Sequence, residues 1–171
     1  MVWMFSYCNF GKIQNMKTKL IFFTLLIIAA GFKSDSTLSE ITAGDILGTY
    51  WNEEKDAKIR MFMAQNGQYS GKVEWMKEPN NPDGTTKKDV NNPNKDLRDR
   101  ERLGLVILKY FVFDEKDKKW SDGNVYDPKN GKLYSGTMKF EGSDKNKLYM
   151  RGYVMGMTWL GRTAVWTRVI E

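Results

Sequence analysis

The segment Tyr69–Lys77, YSGKVEWMK, constrains the fold more than any other stretch of the chain. Tyr69, Gly71, Val73 and Trp75 alternate with Ser70, Lys72 and Glu74. A period of two in apolar and polar residues is the mark of a half-buried antiparallel strand. Seven further segments have strand length and composition and are bounded by Gly, Asn, Asp or Pro. They are Ile46–Asn52, Ala57–Gln65, Leu103–Phe113, Trp120–Asp127, Lys132–Glu141, Lys147–Met155 and Thr158–Ile170. In Lys132–Glu141 the alternation puts Tyr134, Gly136, Met138 and Phe140 on one face. Eight strands with short connections, no strong helix and no repeat predict an all-β domain, an up-and-down barrel or a sandwich. Closure removes the unpaired edges of so small a sheet, so the antiparallel eight-stranded barrel is preferred.

Two connections are informative. Asp127–Gly131, DPKNG, is a hairpin loop: Pro128 fixes φ, and Asn130 and Gly131 tolerate positive φ. Residues 78–102 break the strand pattern, holding three of the four prolines and few apolar residues. A loop of that length in a compact domain is a candidate for function. Within it LRDRERL suggests a helical turn.

The N-terminal region reads as a targeting segment. Met16 is followed by Lys17 and Lys19, an apolar run Leu20–Ala30, and the small residues Ala29, Ala30 and Gly31. The run is shorter than the ~20 residues that span a bilayer. Residues 1–31 are therefore expected to be an extension plus signal peptide starting at Met16, 32–44 a polar linker, and 45–171 a single domain. The expected location is periplasmic or secreted, with no stable membrane span after cleavage.

Removing that segment changes the chemistry available. The only cysteine, Cys8, is lost, so neither a disulfide framework nor a thiol nucleophile is expected. Lys12, Lys17 and Lys19 go with it, so 27 basic residues become 24 against 21 acidic, net +3. Basic residues are interleaved with acids, as in KDLRDRERL, which argues against nucleic acid as a partner. The chain has no histidine, which excludes His-based triads and His-ligated zinc. No acidic loop has EF-hand spacing. No metal, cofactor or catalytic residue is assigned.

The first and last strands carry a barrel-closing pattern. Gly48, Tyr50 and Trp51 open the sheet, and Trp166 and Arg168 end it. An arginine laid over an aromatic from the first strand seals one end of a small barrel by cation–π contact and backbone hydrogen bonds. This resembles the calycin barrels, the lipocalins and fatty-acid-binding proteins.

A second resemblance covers nearly the whole domain. Asp89, Asn92 and Pro93 lie in one loop; Gly123, Tyr126, Asp127, Pro128, Gly131 and Tyr134 form a hairpin pattern. Arg151, Gly152 and Tyr153 come next, then Gly161, Arg162, Trp166 and Arg168. In this order they resemble the DUF2147 family of secreted bacterial proteins. The chain departs from that family at Tyr50, where Trp is usual, and lacks the cysteines many members carry near SGKVEW. The resemblance implies an exported barrel and no defined activity.

The polar residues expected to gather at a barrel mouth are Asp89, Asn92, Asp122, Tyr126, Asp127, Arg151 and Arg162. Arginines can take a carboxylate or phosphate head, and aromatic and Met residues an apolar body. The same residues could instead form a structural network. Met61, Met63, Met138, Met150, Met155 and Met157 could line an adaptable pocket or simply be core. The favoured expectation is a non-enzymatic protein that binds a small apolar or amphipathic ligand. The alternatives are an enzyme using carboxylate, Tyr and Arg, or an envelope interaction module docking through 78–102. Oligomeric state is not fixed by the sequence.

Overall fold

The computed structural model describes residues 40–170; the leader expected over 16–31 and most of the linker lie outside them. Eight antiparallel strands form a closed barrel in sequential order. They are β1 (Gly48–Trp51), β2 (Ala57–Met63), β3 (Tyr69–Met76), β4 (Val106–Asp114), β5 (Lys119–Asp127), β6 (Lys132–Glu141), β7 (Asp144–Val154) and β8 (Met157–Arg168). All eight expected strands are present, most with ends moved by one to three residues. No helix among the described residues is long and apolar enough to cross a membrane.

The interior is filled by inward residues of all eight strands. Tyr50, Met61, Leu108, Phe111, Trp120, Met138 and Leu148 are essentially inaccessible. Gly123 and Gly136 are small because Phe111 occupies their side-chain space. A Cβ on Gly123 would lie 2.3 Å from the Phe111 ring, and one on Gly136 2.5 Å from Val125. The methionines divide: Met61, Met138 and Met150 belong to or pack on the core, whereas Met63, Met155 and Met157 are exposed.

The structure corrects the alternation expected in β3. Lys58 pairs with Trp75 but Ile59 with Val73, so Glu74 is an extra residue in β3. A bulge reverses the facing of the residues after it. Trp75 turns outward, 39% exposed, and Met76 packs against the core instead. Trp75 meets Trp51 edge to face at 5.3 Å, with the Lys58 ammonium 4.8 Å from the Trp51 ring.

That also corrects the closing set. Tyr50 is the inward aromatic, and Trp51, one residue on, lies outside. The linker differs too: its end continues into a 3-10 turn, Ala43–Ile46, capped by Thr42 and Asp45. In the long loop the helical turn falls at Lys95–Leu97 and overlaps only the first residue of the run expected to hold it.

This 3-10 turn closes one end of the barrel. The Trp120 indole N–H donates to the Ala43 carbonyl at 3.2 Å. The Arg168 guanidinium lies 4.7 Å from the Tyr50 ring centre. It donates to the carbonyls of Leu47 (2.8 Å), Lys145 (3.0 Å) and Asp45, and to the Tyr50 hydroxyl. Gly48, at φ +130°, passes beneath it, and a Cβ there would sit 2.6 Å from Arg168 Nη1. Trp166 is buried beside this plug and pairs with Leu148.

The opposite end differs. Only Tyr50↔Arg168 and Trp51↔Thr167 join β1 to β8, with Val169 N–H reaching the Thr49 carbonyl. Beyond Trp51 the chain turns away through Asn52–Asp56, while β8 extends to Met157 paired with β7. The barrel is sealed at the plugged end and split along β8 at the other.

Candidate functional site

The expected polar residues fall into two groups and two outliers. The first group is built around Asp89, whose side chain is fully buried under the 78–102 loop. Tyr126, on the outer face of β5, donates its hydroxyl to Asp89 Oδ1 at 2.6 Å. The Asn92 amide donates to Oδ2 at 2.8 Å, and Arg100 Nη2 lies 3.1 Å from the same oxygen. The backbone completes the knot: Asp89 N–H donates to the Arg100 carbonyl, and Asn92 N–H to the Asp89 carbonyl. A buried carboxylate needs such compensation.

Arg100 was not singled out by the sequence. It sits in the charged run KDLRDRER, where nothing marks one arginine from its neighbours.

Burial first, and then the adjacent Asp89 carboxylate, push the Tyr126 hydroxyl up to about 12. It is thus a neutral donor at physiological pH. Three side-chain donors engage the two Asp89 oxygens, and the carboxyl is closed off from solvent. The cluster fastens the loop to the barrel wall.

The hairpin after β5 extends this clamp. The Asp127 carboxylate caps its own turn by accepting from Lys129 N–H at 2.8 Å. Gly131, at φ +71°, lies so close to the loop that a Cβ would be 1.8 Å from the Asn91 carbonyl oxygen. The Asn91 amide donates to the Lys129 carbonyl at 2.7 Å. The Asp-x-x-Asn-Pro loop and the Tyr-Asp-Pro hairpin are therefore two halves of one joint.

The second group surrounds the unplugged mouth. By the period of two from buried Trp166, the inward positions of β8 are Ala164 and Arg162. Arg162 pairs with Gly152 of β7 and makes ion pairs with Glu53 and, at 3.8 Å, Glu54 of the β1–β2 turn. It is 76% exposed. Ala57, Met76, Tyr134, Met150 and Ala164 are partly buried and rest on the core. Gly152 leaves space, since a Cβ there would meet nothing nearer than Tyr134 Cβ at 3.9 Å. The Tyr134 hydroxyl, at the rim, accepts from the Asn130 amide at 3.3 Å. The mouth thus has an apolar floor of small and flexible side chains and a rim of Arg162, Glu53, Asn130 and Tyr134 hydroxyl.

Asp122 and Arg151 join neither group. Asp122, at φ +59°, occupies an irregularity in β5 and accepts from Ser121 at 3.2 Å. Arg151 donates to the Thr163 hydroxyl and the Thr158 carbonyl across the outer face of β7 and β8. Among the described residues no group of three acidic, Cys or His side chains could hold a metal ion. Two clefts of about 380 and 400 Å³ run beside the long loop, one along Arg100–Val106 and the other along Asn81, Thr85–Lys88 and Arg102.

A plugged eight-stranded barrel with this loop–hairpin joint matches a known family, described as an uncharacterized protein conserved in bacteria, over residues 48–168. The chain belongs to the DUF2147 family. In this member the arginine of the plug, Arg168, stacks on Tyr50.

A solved structure adds the fold relationship. It is described as protein HP1028 from the human pathogen Helicobacter pylori, which belongs to the lipocalin family. It superposes with a TM-score of 0.60 at 23% identity, covering 74% of this chain and 84% of that one. The DUF2147 domain is thus lipocalin-like in fold. No curated protein sequence matches the chain.

Proposed function

We propose that this protein is an exported, non-enzymatic binding protein that takes a small apolar or amphipathic molecule at the unplugged mouth of its barrel. One observation carries the reading: the two ends of the barrel are built oppositely. At the plugged end Tyr50, Met61, Trp120, Phe140, Leu148 and Trp166 are bulky and buried. At the mouth the inward positions of β2, β7 and β8 are the small residues Ala57, Gly152 and Ala164, and a Cβ on Gly152 would make only ordinary contact with Tyr134 Cβ, at 3.9 Å. An apolar body placed there would rest on Met76, Met150 and the Tyr134 ring. Its polar head would reach Arg162, which is already ion-paired and exchangeable with solvent. The full burial of Asp89 and its three side-chain partners argue against a carboxylate-based enzyme at the loop clamp. Export rests on the sequence Met16–Gly31 and is part of the proposal.

The test is calorimetric titration of the purified protein with dodecanoate and with dodecylammonium. Micromolar binding of dodecanoate is expected, weakened at least tenfold by Gly152→Leu, which fills the mouth. Absence of heat with both probes, or equal binding by the Gly152→Leu variant, would overturn the reading.

A further inference from the structure

The β7–β8 hairpin ends the unplugged side of the barrel in an apolar hook. From Gly152 to Gly161 the sequence GYVMGMTWLG holds no charged residue, and Arg151 and Arg162 bracket it. Apolar side chains stand in solvent on both arms and at the turn. Val154 and Met155 (70% exposed) come from one side, Met157, Trp159 (77%) and Leu160 from the other. Single apolar residues scattered over a surface are ordinary, but these five fall within the seven positions 154–160.

The hook is braced. Val154 pairs with Met157 across a turn in which Gly156 takes φ +78°. The next pair back is Tyr153↔Gly161, so Thr158, Trp159 and Leu160 have no partner on β7 and are thrown out as a bulge. Arg151 spans its base, donating to the Thr158 carbonyl at 2.9 Å and to the Thr163 hydroxyl at 3.3 Å. A carbonyl in the irregular part of the strand is thereby satisfied within the hairpin, as a backbone group must be on leaving water. Among the described residues Arg151 makes no ion pair, so its charge stays uncompensated.

We propose that this hairpin docks on the surface of a lipid bilayer, with Met155, Met157, Trp159 and Leu160 in the boundary between headgroups and acyl chains and Arg151 at the level of the lipid phosphates. Three observations select lipid over a protein partner. Both arms and the turn expose apolar groups, so the hook has no single dry face for a protein groove to cover, whereas a bilayer surrounds it. Between the two arginines the only polar side-chain groups are the hydroxyls of Tyr153 and Thr158, too few to rim a protein interface with directional bonds. Tryptophan beside aliphatic side chains, with a cation behind them, is the composition that settles at a membrane–water boundary. A hook this short dips into that boundary and no further, so docking is peripheral and reversible. It turns the unplugged mouth toward the lipid, and it does not rest on the ligand reading above.

The probe is vesicles of phosphatidylcholine and phosphatidylglycerol added to the purified protein. The readout is the emission of Trp159, isolated as the difference between wild type and Trp159→Phe. Vesicles are expected to shift that emission to the blue, and lipids brominated on their acyl chains to quench it. Co-sedimentation with the vesicles should weaken at least tenfold in the double variant Trp159→Ser/Leu160→Ser. Its circular dichroism should be unchanged, since both side chains already stand in solvent. A Trp159 emission unmoved by vesicles would overturn the proposal, even where another part of the chain carries the protein to lipid. Equal binding by the double variant would overturn it too. So would a Trp159 shift that follows protein concentration without lipid, which would assign the hook to a second copy.

Discussion

Arg168 and Arg162 lie six residues apart on one strand, and they do opposite work. Arg168 is held over the Tyr50 ring and donates to three carbonyls that would otherwise be unpaired at the end of the barrel. Arg162 stands in solvent at the mouth and holds only carboxylates on a turn. The difference arises from β1, which is four residues long where β8 is twelve. Where β1 accompanies β8 the barrel end is plugged; where β1 has turned away, the inward positions of β8 are Ala164 and Arg162, and Glu53 and Glu54 reach across to Arg162. The tightly packed plug lies at one end of the domain and the proposed binding site at the other.

Substitutions should separate the two ends. Arg168→Ala should have the largest effect on stability, about 2–3 kcal/mol by urea unfolding, because it removes the donor to three carbonyls and the Tyr50 hydroxyl together with the cation–π contact. A loss below about 1 kcal/mol would mean that water replaces the guanidinium there. Asp89→Ala should cost about 2–3 kcal/mol by leaving the Asn92 amide and Tyr126 hydroxyl without their acceptor. The loss should be local: limited proteolysis should cut within residues 78–102 faster while the barrel amides stay protected from exchange. Uniform loss of protection would show that the loop and barrel unfold as one unit.

A pH series probes the buried tyrosines of the plug and of the loop clamp. Burial pushes the Tyr50 hydroxyl up to about 12, with Arg168 opposing it, and Tyr126 is likewise pushed up to about 12. Both phenols ionise more readily in the unfolded chain, near 10. The stability they contribute is therefore fully present below about pH 10 and is lost as pH rises toward 12. Tyr126→Phe should flatten part of that fall and remove one late-titrating phenol from the tyrosinate absorbance. Arg162→Ala should have the smallest effect on stability, within about 0.5 kcal/mol, since exposed ion pairs contribute little. It should nevertheless weaken dodecanoate binding, which is the sharpest contrast with Arg168.

The eight strands were legible in the sequence because alternation and turn residues are local. The closing arginine and its aromatic were legible as types, although Tyr50 rather than Trp51 faces inward. The Glu74 bulge was not legible, because Trp75 continues the apolar alternation and only the partner strand reveals the extra residue. Asp89, Asn92 and Tyr126 were legible as candidates but not as a clamp, since the Arg100 that completes it looks like its neighbours. The split along β8 was not legible at all. It depends on where β1 leaves its partner, a long-range fact that strand propensity does not carry.

Amide NMR spectra recorded during a dodecanoate titration test most directly whether binding belongs to the mouth and rigidity to the plug. The expected result is a set of saturable shifts at Ala57, Tyr134, Met150, Gly152, Arg162 and Ala164, with Ile46, Tyr50, Trp120 and Leu148 unmoved. Shifts centred on the plugged end, or on the Arg100–Lys109 cleft with the mouth unmoved, would contradict it.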